Sequence, residues 1–257
     1  MHLQSVDRTM AFLNTVGIVI KEVDVGEADK IVTILTKKHG RISALAKGGK
    51  RPKSAISAAS QIMCYSDFVF YSGKEMYSIN SCDVIEPFYE IRNDMEKLTY
   101  AAHFMDIVLE LAQENQPSSR LLQLLLNSLH MLAKTDKQPE LISRIFELRA
   151  LSVSGYAPHT ASCIVCGQEA EKLYSFSFSR CGFICDRENC SSADKYSLLL
   201  SPGASRAIQY IIYSKMEDLF KFGLSAAVLE ELERVIRRYL REQLERDFTK
   251  LDFLKSI

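Results

Sequence analysis

Cysteine is the residue type whose spacing is most informative in this sequence. Five of the seven cysteines lie between Cys163 and Cys190. They include a Cys163-x-x-Cys166 pair and, 18 residues later, a Cys185-x-x-x-x-Cys190 pair. Two cysteine pairs on separate tight turns can hold four thiolates tetrahedrally around Zn²⁺, and a site closed by four sulfurs stabilises a loop and does not catalyse. We therefore expect a structural zinc ion bound by these four residues.

The second cysteine pair leaves the identity of the ligands open, because its spacing is wider than the usual two residues. Cys181 lies four residues before Cys185 and could replace one ligand, and His159 also lies nearby. A metal-free loop with reduced or redox-active cysteines is the competing interpretation. The odd number of cysteines, in a chain without a recognisable secretion signal, favours a metal over disulfides.

Short catalytic signatures are absent from this sequence. A zinc deaminase needs an H-x-E element followed by P-C-x-x-C, and neither occurs. There is also no G-x-x-x-x-G-K-[ST] phosphate loop, no G-x-G-x-x-G, no H-E-x-x-H and no G-x-S-x-G. We therefore expect no enzymatic activity and assign no catalytic residue. An enzyme without a recognisable motif is the rival class, and turnover of DNA or ATP would reveal it.

Basic residues are concentrated in one N-terminal stretch, although the chain has 32 basic and 32 acidic residues. Residues 30 to 66 contain eight Lys or Arg and no Asp or Glu. Within it, AKGGKRPKS at 46–54 combines cations with glycines that let the backbone approach a phosphate chain closely. A solvated, flexible loop is the alternative interpretation. The side chains that we expect to contact DNA are Lys37, Lys38, Arg41, Lys47, Lys50, Arg51 and Lys53.

Four aromatic residues follow the basic stretch. Phe68, Phe70, Tyr71 and Tyr77 could stack on bases if they face a binding groove. Alternate positions on a strand more often fill a core, so the two tyrosines are the better candidates.

The basic stretch must be positioned by β-structure, because short β-rich runs fill the region from Asn14 to Val84. The predicted strands are Val16–Val23, Lys30–Thr36, Arg41–Lys47, Ile62–Tyr71 and Glu75–Val84. Turn residues separate them at 37–40 and 72–74. Five short strands over about 75 residues predict a small barrel, of which the OB-fold is the five-stranded member. An SH3-like barrel fits the pattern almost as well.

The cysteines must be positioned by a helical region that begins after Pro87. Apolar residues recur at helical spacing, and the predicted helices are Ile91–Glu114, Leu121–Ala133, Leu141–Val153, one starting at Ser201-Pro202, and Ser225–Asp247. The sequence therefore predicts a multidomain α+β protein. Its parts are an N-terminal OB-fold barrel over 10–84 and a helical domain over 85–257, with a zinc-binding insert over about 159–195.

Nothing in the sequence indicates export or membrane insertion. No run of about 18 apolar residues occurs, and MHLQSVDRTM lacks a basic flank followed by an apolar core. We expect a cytoplasmic protein without a membrane partner. Met10 is a candidate natural start, because patterned sequence begins at Ala11 and Phe12.

Several segments together resemble the RecO family of bacterial recombination mediators. The opening TVGIVIKEVDVGEADKIVTILTKKHGRISALAKGGKRPKS is similar to the start of that family. YSGKEMYSI, IRNDMEKLTYA, FELRALSVSGYAP, C-x-x-C-G and LSPGASRAI follow in the family's order, and the resemblance extends to the C-terminus. One difference is the second cysteine pair, which is separated by four residues where many relatives have two.

The resemblance implies both an architecture and a function. It implies an OB-fold domain, a helical domain with a zinc-finger-like element, and no nucleotide hydrolysis. It also implies that the protein binds single- and double-stranded DNA and anneals complementary strands. The partners that it implies are the C-terminal tail of the single-strand-binding protein and RecR, which acts together with this family in loading RecA. The implied location is the nucleoid. The family's DNA-contacting loop falls on Lys47, Lys50, Arg51 and Lys53, and its cysteine ligands fall on Cys163, Cys166, Cys185 and Cys190. Arg144, Arg149 and Arg206 are candidate contacts for the tail. A zinc-containing scaffold used only for protein assembly is the rival interpretation.

Overall fold

The structure is a computed structural model that describes residues 12–52, 54–73, 76–169 and 173–256. Lys53 and the candidate start Met10 lie outside these residues. The chain divides into two compact units. The barrel unit comprises Met1–Tyr89 and Ala112–Leu122, and the helical unit comprises Glu90–Leu111 and Gln123–Ile257.

The barrel unit contains five strands that close on themselves in the order β1-β2-β3-β5-β4. The strands are β1 Phe12–Val25, β2 Asp29–Thr36, β3 Gly40–Ala46, β4 Tyr65–Ser72 and β5 Tyr77–Glu86. A short helix, α1 Ala55–Ala59, connects β3 to β4. The strands pair antiparallel except for the parallel contact between β3 and β5 that closes the barrel. This order is OB-like, in preference to the SH3-like alternative.

Alternation along the strands fills the barrel. Phe68 and Phe70 on β4 are both completely buried, and their ring centroids lie 5.4 Å apart. Ile42, Ala44 and Ala46 on β3 point into the same core, while the residues between them are more exposed. Side chains that alternate on a strand face opposite sides of the sheet, so the period of two in the sequence places these residues inside. The two phenylalanines are therefore core residues and cannot stack on bases.

The helical unit is organised around a buried helix. The helices that lie wholly or mostly in it are α2 Tyr89–Arg92, α3 Met95–Leu111, α4 Ser119–Lys134, α5 Pro139–Val153, α7 Pro202–Tyr213, α8 Ala226–Leu244 and a 3₁₀ helix Lys250–Ser256. Helix α5 packs against α3, α7 and α8, and most of its residues are buried. Ser201 and Ser225 each cap the helix that follows by accepting a backbone N–H bond.

A buried polar cluster joins α3 to α5. His103 Nε2 lies 2.7 Å from Glu147 Oε1, Ser143 Oγ donates to the same oxygen, and Arg144 Nη1 lies 3.0 Å from the other carboxylate oxygen. Burial acts to raise the pKa of Glu147, but the charge of Arg144 and the bonds from His103 and Ser143 outweigh it and hold the pKa below its usual value. Glu147 is thus a charged residue in a core, stabilised by its partners.

The cysteine module interrupts the helices between α5 and α7. It contains β6 Tyr174–Ser177, β7 Gly182–Cys185, α6 Glu188–Ser191 and β8 Leu198–Leu199, with strand order β7-β6-β8. Phe176 lies edge-on against Tyr239 of α8, with ring centroids 5.3 Å apart. The Tyr239 hydroxyl in turn donates to the Tyr156 carbonyl oxygen. The module is therefore anchored to the helices by an aromatic contact.

The predicted α+β fold class, with an OB-like barrel followed by a helical region, is confirmed. Helix α3 ends at Leu111 and not at the predicted Glu114, because Gln113–Asn115 forms backbone bonds with His39 and Arg41 instead. In the described residues, no helix combines the length and the apolar character needed to cross a membrane.

Candidate metal centre and nucleic-acid surface

The first cysteine pair lies on a tight turn. The Gly167 N–H donates to the Cys163 carbonyl oxygen, and the Cys163 N–H donates to Gln168, each at 2.8 Å. Gly167 has a positive φ of 73°, which glycine adopts without strain. The Ile164 N–H donates to Phe183 on β7, which fixes the turn to the β6–β7 hairpin. The C-x-x-C-G sequence therefore folds locally into a knuckle that presents two sulfurs.

The second cysteine pair spans the end of a strand and a short helix. Cys185 is the last residue of β7, and Cys190 lies within α6. The Cys190 N–H donates to the Arg187 carbonyl oxygen at 2.8 Å, which turns the chain back towards the first knuckle. This helical turn takes up the two residues by which the spacing exceeds the usual one.

The two pairs bring four sulfurs together. The ligand atoms of Cys163, Cys166, Cys185 and Cys190 all lie within 4.8 Å of one another. The Cys166 and Cys185 sulfurs are 3.8 Å apart. A tetrahedral zinc ion with bonds of about 2.3 Å requires sulfur–sulfur distances of about 3.8 Å, whereas a disulfide requires about 2.05 Å. The donor set therefore fits a tetrahedral thiolate-bound ion, and the four cysteines could hold one.

The thiols of this cluster differ in acidity. Burial acts to raise the pKa of Cys163, but N–H donors from Cys185, Cys166 and Val165 outweigh it and lower the pKa to about 6. The Cys190 pKa is raised to about 12 by burial and by the three neighbouring thiols. Ionisation of one thiol thus disfavours ionisation of a second, because like charges repel in a buried cluster. A divalent cation would remove that repulsion.

Neither alternative ligand joins the four sulfurs in the described part of the chain. The Cys181 thiol donates to the Phe178 carbonyl oxygen and accepts from Gln243 Nε2. His159 Nε2 lies 3.1 Å from Ser162 Oγ. A residue that the sequence analysis missed lies much closer, because Arg187 contacts two of the sulfurs. Only the fold brings its guanidinium back onto the cluster.

The barrel separates the predicted DNA-binding residues into two groups. Lys37, Lys38 and Arg41 form the β2–β3 patch, and Lys47, Lys50 and Arg51 form the β3–α1 patch. Strand β3 connects the two groups, with Arg41 near its start and Lys47 directly after its end. At roughly 3.3 Å per residue the patches lie about 20 Å apart, at opposite ends of one strand. Lys53 falls outside the described residues.

The β3–α1 patch has a hydrogen-bonded backbone. The Gly48 N–H donates to Asp29 Oδ1 at 2.7 Å, and the Lys50 N–H donates to the Ala28 carbonyl oxygen at 3.0 Å. The Arg51 N–H closes a turn on Gly48 at 2.9 Å. These bonds hold the patch against the β1–β2 turn, so its cations project from a defined loop.

The basic stretch contains no acidic residue, but acidic residues from other parts of the chain lie close to it. Acidic residues from outside it pair with three of its cations: Lys30 with Glu22 at 3.0 Å, Arg41 with Glu114 at 3.5 Å, and Lys50 with Asp24 at 3.0 Å. Within the described residues, the exposed side chains of Lys37, Lys38, Lys47 and Arg51 have no acidic partner. These four are the cations whose charge is least compensated.

A groove of about 330 Å³ lies beside the β2–β3 patch, and Arg41, Ser43, Ser72, Tyr77 and Asn115 are among its lining residues. Tyr77 packs edge-on against Phe70 at 6.0 Å and is only partly buried. Tyr71, by contrast, packs against Phe12. Of the two tyrosines favoured from the sequence, Tyr77 is the one that lines the groove.

One end of this groove is formed by close backbone packing. Gly40 has a φ of 61°, and a Cβ there would lie 2.1 Å from the Gln113 carbonyl oxygen. The Arg41 N–H donates to that oxygen at 3.0 Å, and the Asn115 N–H donates to His39. Residues 113–115, which follow α3, therefore pair with the start of β3. Glycine is required at position 40, because a side chain there would clash with this segment.

A closed five-stranded OB-like barrel with exposed cations, together with a helical unit that carries a four-cysteine cluster, defines a class of proteins. These are OB-barrel proteins with an embedded four-cysteine module.

Comparison with known proteins places the chain within that class. The family model described as recombination protein O N terminal matches residues 10–88, and the one described as recombination protein O C terminal matches residues 92–252. The chain belongs to the RecO family of DNA repair proteins.

Relatives named DNA repair protein RecO match almost the whole chain. The protein of Acetivibrio thermocellus is 57% identical over 248 residues, which cover 96% of this chain and 98% of that protein. The protein of Alkaliphilus metalliredigens is 35% identical, covering 95% and 99%. The protein of Bacillus pumilus is 36% identical, covering 88% and 87%.

Proposed function

We propose that this protein binds single- and double-stranded DNA, promotes annealing of complementary strands and, with RecR, helps load RecA onto DNA coated by single-strand-binding protein. The observation that supports this most directly is the set of exposed cations on the barrel that lack an acidic partner in the described residues: Lys37, Lys38, Lys47 and Arg51. A RecO-family chain with such a barrel is suited to bind phosphates without reading sequence.

The proposed mechanism is electrostatic. Each cation that neutralises a phosphate releases a condensed counterion, and this release drives binding. Two patches about 20 Å apart can hold a strand along β3. The groove beside β3, which Tyr77 of β5 helps to line, is available for a base. Neutralised strands repel each other less, so annealing becomes faster. No covalent step is involved, and we propose that the protein is not an enzyme.

We propose that the cysteine cluster holds a structural zinc ion. Cys163, Cys166, Cys185 and Cys190 would be its ligands, since they fit a tetrahedral donor set. When bound, the ion supplies a cross-link and balances the thiolate charge. The residues of the module position the sulfurs. The Cys163–Gly167 turn and the Cys190–Arg187 turn present them in fixed positions.

We propose that the helical unit binds the acidic, apolar tail of the single-strand-binding protein beside α8. A groove of about 410 Å³ is lined by four arginines, Arg234, Arg237, Arg238 and Arg241, and by three acidic residues, Glu230, Glu233 and Asp247. A smaller recess of about 30 Å³ shares Arg237 and Arg241 with this groove, and its lining mixes the apolar Leu240, Phe248 and Leu251 with charged residues that include Arg144, Glu147 and Asp247. Arginines suit the acidic residues of such a tail.

The arginines suggested by the sequence are less suited to the tail. Arg144 is buried beside Glu147, and Arg149 donates to the carbonyl oxygens of Ile211, Ile212 and Ser214 at the end of α7. Arg206 donates to the Pro202 carbonyl oxygen within its own helix. Calorimetry with a tail peptide, comparing wild type with Arg234→Ala, tests the α8 site. Unchanged affinity in the variant would remove that site and leave the DNA-binding proposal intact.

The experiment that tests the whole function is annealing of complementary strands pre-coated with single-strand-binding protein. We expect the full chain to accelerate annealing and to leave DNA and ATP unconsumed. A scaffold that serves only assembly would leave the annealing rate unchanged, and an enzyme would turn over one of the two substrates. Either result would overturn the proposal. Fluorescence imaging for colocalisation with the nucleoid tests the proposed cytoplasmic location.

A further inference from the structure

Arg187 lies between the two cysteine pairs and contacts both. Its Nη1 atom lies 3.4 Å from the Cys185 sulfur and 3.6 Å from the Cys166 sulfur. The same atom donates to the Glu169 carbonyl oxygen at 3.0 Å. Glu169 lies three residues after Cys166, so the guanidinium joins the backbone after the first knuckle to the sulfurs of both knuckles.

The position of Arg187 depends on the wide spacing of the second pair. Asp186, Arg187, Glu188 and Asn189 separate Cys185 from Cys190. The Arg187 carbonyl oxygen accepts from the Cys190 and Ser191 N–H groups, which belong to the last two residues of α6. The backbone of Arg187 therefore orients Cys190, while its side chain returns to Cys166 and Cys185. A two-residue spacing would leave less chain for this arrangement.

Charge explains why a cation is favourable at this place. Four thiolates around a divalent ion carry a net charge of −2, and three of the four cysteines are buried. The guanidinium is permanently positive and presents several N–H donors in a fixed plane. Groups that bond to metal ligands from outside typically change metal affinity by 10- to 100-fold. Cys166 is the exposed ligand, so it benefits most from a neighbour that holds it in place.

We propose that Arg187 is a positioning residue of the metal centre, which orients the Cys166 and Cys185 sulfurs and offsets the negative charge of the loaded site. The inference rests on the proposed zinc site. It assigns a role to the residues between Cys185 and Cys190, which otherwise only connect two ligands.

The test uses the full chain loaded with Zn²⁺ and, separately, with Co²⁺. Wild type is compared with Arg187→Ala, with Arg187→Lys, and with Arg180→Ala as a control, because Arg180 is an exposed arginine on the β6–β7 turn of the same module. Zinc release is followed with an excess of a colorimetric chelator. We expect Arg187→Ala to release zinc about tenfold faster or more, and Arg187→Lys to lie between Arg187→Ala and wild type.

The cobalt spectrum supplies a readout that a merely structural role would not move. An N–H donor lowers the energy of the sulfur lone pairs, so its loss should shift the sulfur-to-cobalt charge-transfer band to longer wavelength. Release rates and bands that match wild type in both Arg187 variants would overturn the role of Arg187 and leave the zinc site standing. Failure of wild type to bind either ion at one per chain would overturn both. If Arg187→Ala does not fold, Arg187→Lys alone decides.

Discussion

The cations of the barrel differ in what surrounds them. Lys50 lies 3.0 Å from Asp24, whereas Lys47 and Arg51, on the same loop, have no acidic partner in the described residues. A phosphate that approaches Lys50 must compete with a carboxylate already present. Surface ion pairs contribute little to stability, so Asp24 affects the availability of the cation more than it affects the fold. The loop should therefore contribute to DNA binding unevenly.

We expect Lys47→Ala combined with Arg51→Ala to weaken binding of single-stranded DNA and to make it less sensitive to salt. Each phosphate contact on a single strand contributes about 0.7 to the slope of log affinity against log salt, so the slope should fall by about 1.4. Lys50→Ala is the matched variant and should lower the slope by less than 0.7. Fluorescence anisotropy against two unrelated oligonucleotides at several salt concentrations measures both. A slope that is unchanged in a folded double variant would locate the DNA site elsewhere.

Residue-scale prediction from the sequence succeeds where the chemistry is local. The grouping of the four cysteine ligand atoms follows from two short turns, which the spacing already indicates. The partners of Lys50 and Arg41 could not be read in the same way, because Asp24 and Glu114 come from distant parts of the chain. Arg187 was missed although it lies two residues after Cys185, because nothing in the spacing shows that its side chain also reaches the Cys166 sulfur, 21 residues away.

At the scale of elements, the packing of residues 113–115 against the start of β3 depends on Gly40. We expect Gly40→Ala to destabilise the barrel by more than the 1–2 kcal/mol or so that a left-handed alanine costs, because its Cβ would lie 2.1 Å from the Gln113 carbonyl oxygen. Gly26→Ala is the matched control, with a φ of 60° and no atom within 4 Å of its Cβ. Urea unfolding gives both free energies. Equal losses in the two variants would mean that residues 113–115 do not pack on Gly40.

The cluster between α3 and α5 makes stability depend on acid. The pKa of Glu147 is lower in the folded state, so its contribution is full above the unfolded value of about 4.3 and is lost as pH falls through the folded value. We expect Glu147→Gln to cost about 3 kcal/mol at neutral pH, because Arg144 stays buried without its charge partner.

The control for this cluster is Glu140→Gln, at an exposed position of the same helix. Denaturant unfolding at pH 7 and at a series of pH values below about 4.3, the unfolded value, measures the dependence on acid. The difference in stability between wild type and Glu147→Gln should shrink as the pH falls below the unfolded value, because the unfolded chain then binds a proton at Glu147 that the folded state, with its lowered pKa, binds only at a lower pH. A difference that does not change with pH would mean that the carboxylate charge is not what stabilises the cluster.

Most elements could be predicted from the sequence, and their ends could not. Period-two runs predicted the five strands, because alternate residues such as Phe68 and Phe70 must be buried. Helix α3 ends early because Gln113 bonds to β3, which is a tertiary contact that no local pattern indicates. The short helix Ala55–Ala59 was missed, since five residues give too little periodicity to detect.

At the scale of the whole molecule, the proposed DNA surface and the proposed metal centre belong to different units. The cations Lys47 and Arg51 lie in the barrel unit, and all four cysteines lie in the helical unit. Each unit has its own core, so loss of structure in one need not unfold the other. Removal of the metal should therefore separate the two activities.

We expect removal of zinc by a chelator, under reducing conditions, to destabilise the cysteine module and to leave DNA binding by the barrel nearly unchanged. Without the cation, a thiolate at Cys163 disfavours ionisation of its neighbours, so the sulfurs lose their common partner and the β6–β7 hairpin loses its cross-link. Thermal unfolding should show an earlier transition for the metal-free chain, and added Zn²⁺ should reverse the shift. The salt slope of single-stranded DNA binding, measured on the same samples, should match that of the loaded protein. A salt slope that is lower in the metal-free protein would show that the cysteine module takes part in binding DNA. The assignment of DNA binding to the barrel unit alone would then be wrong.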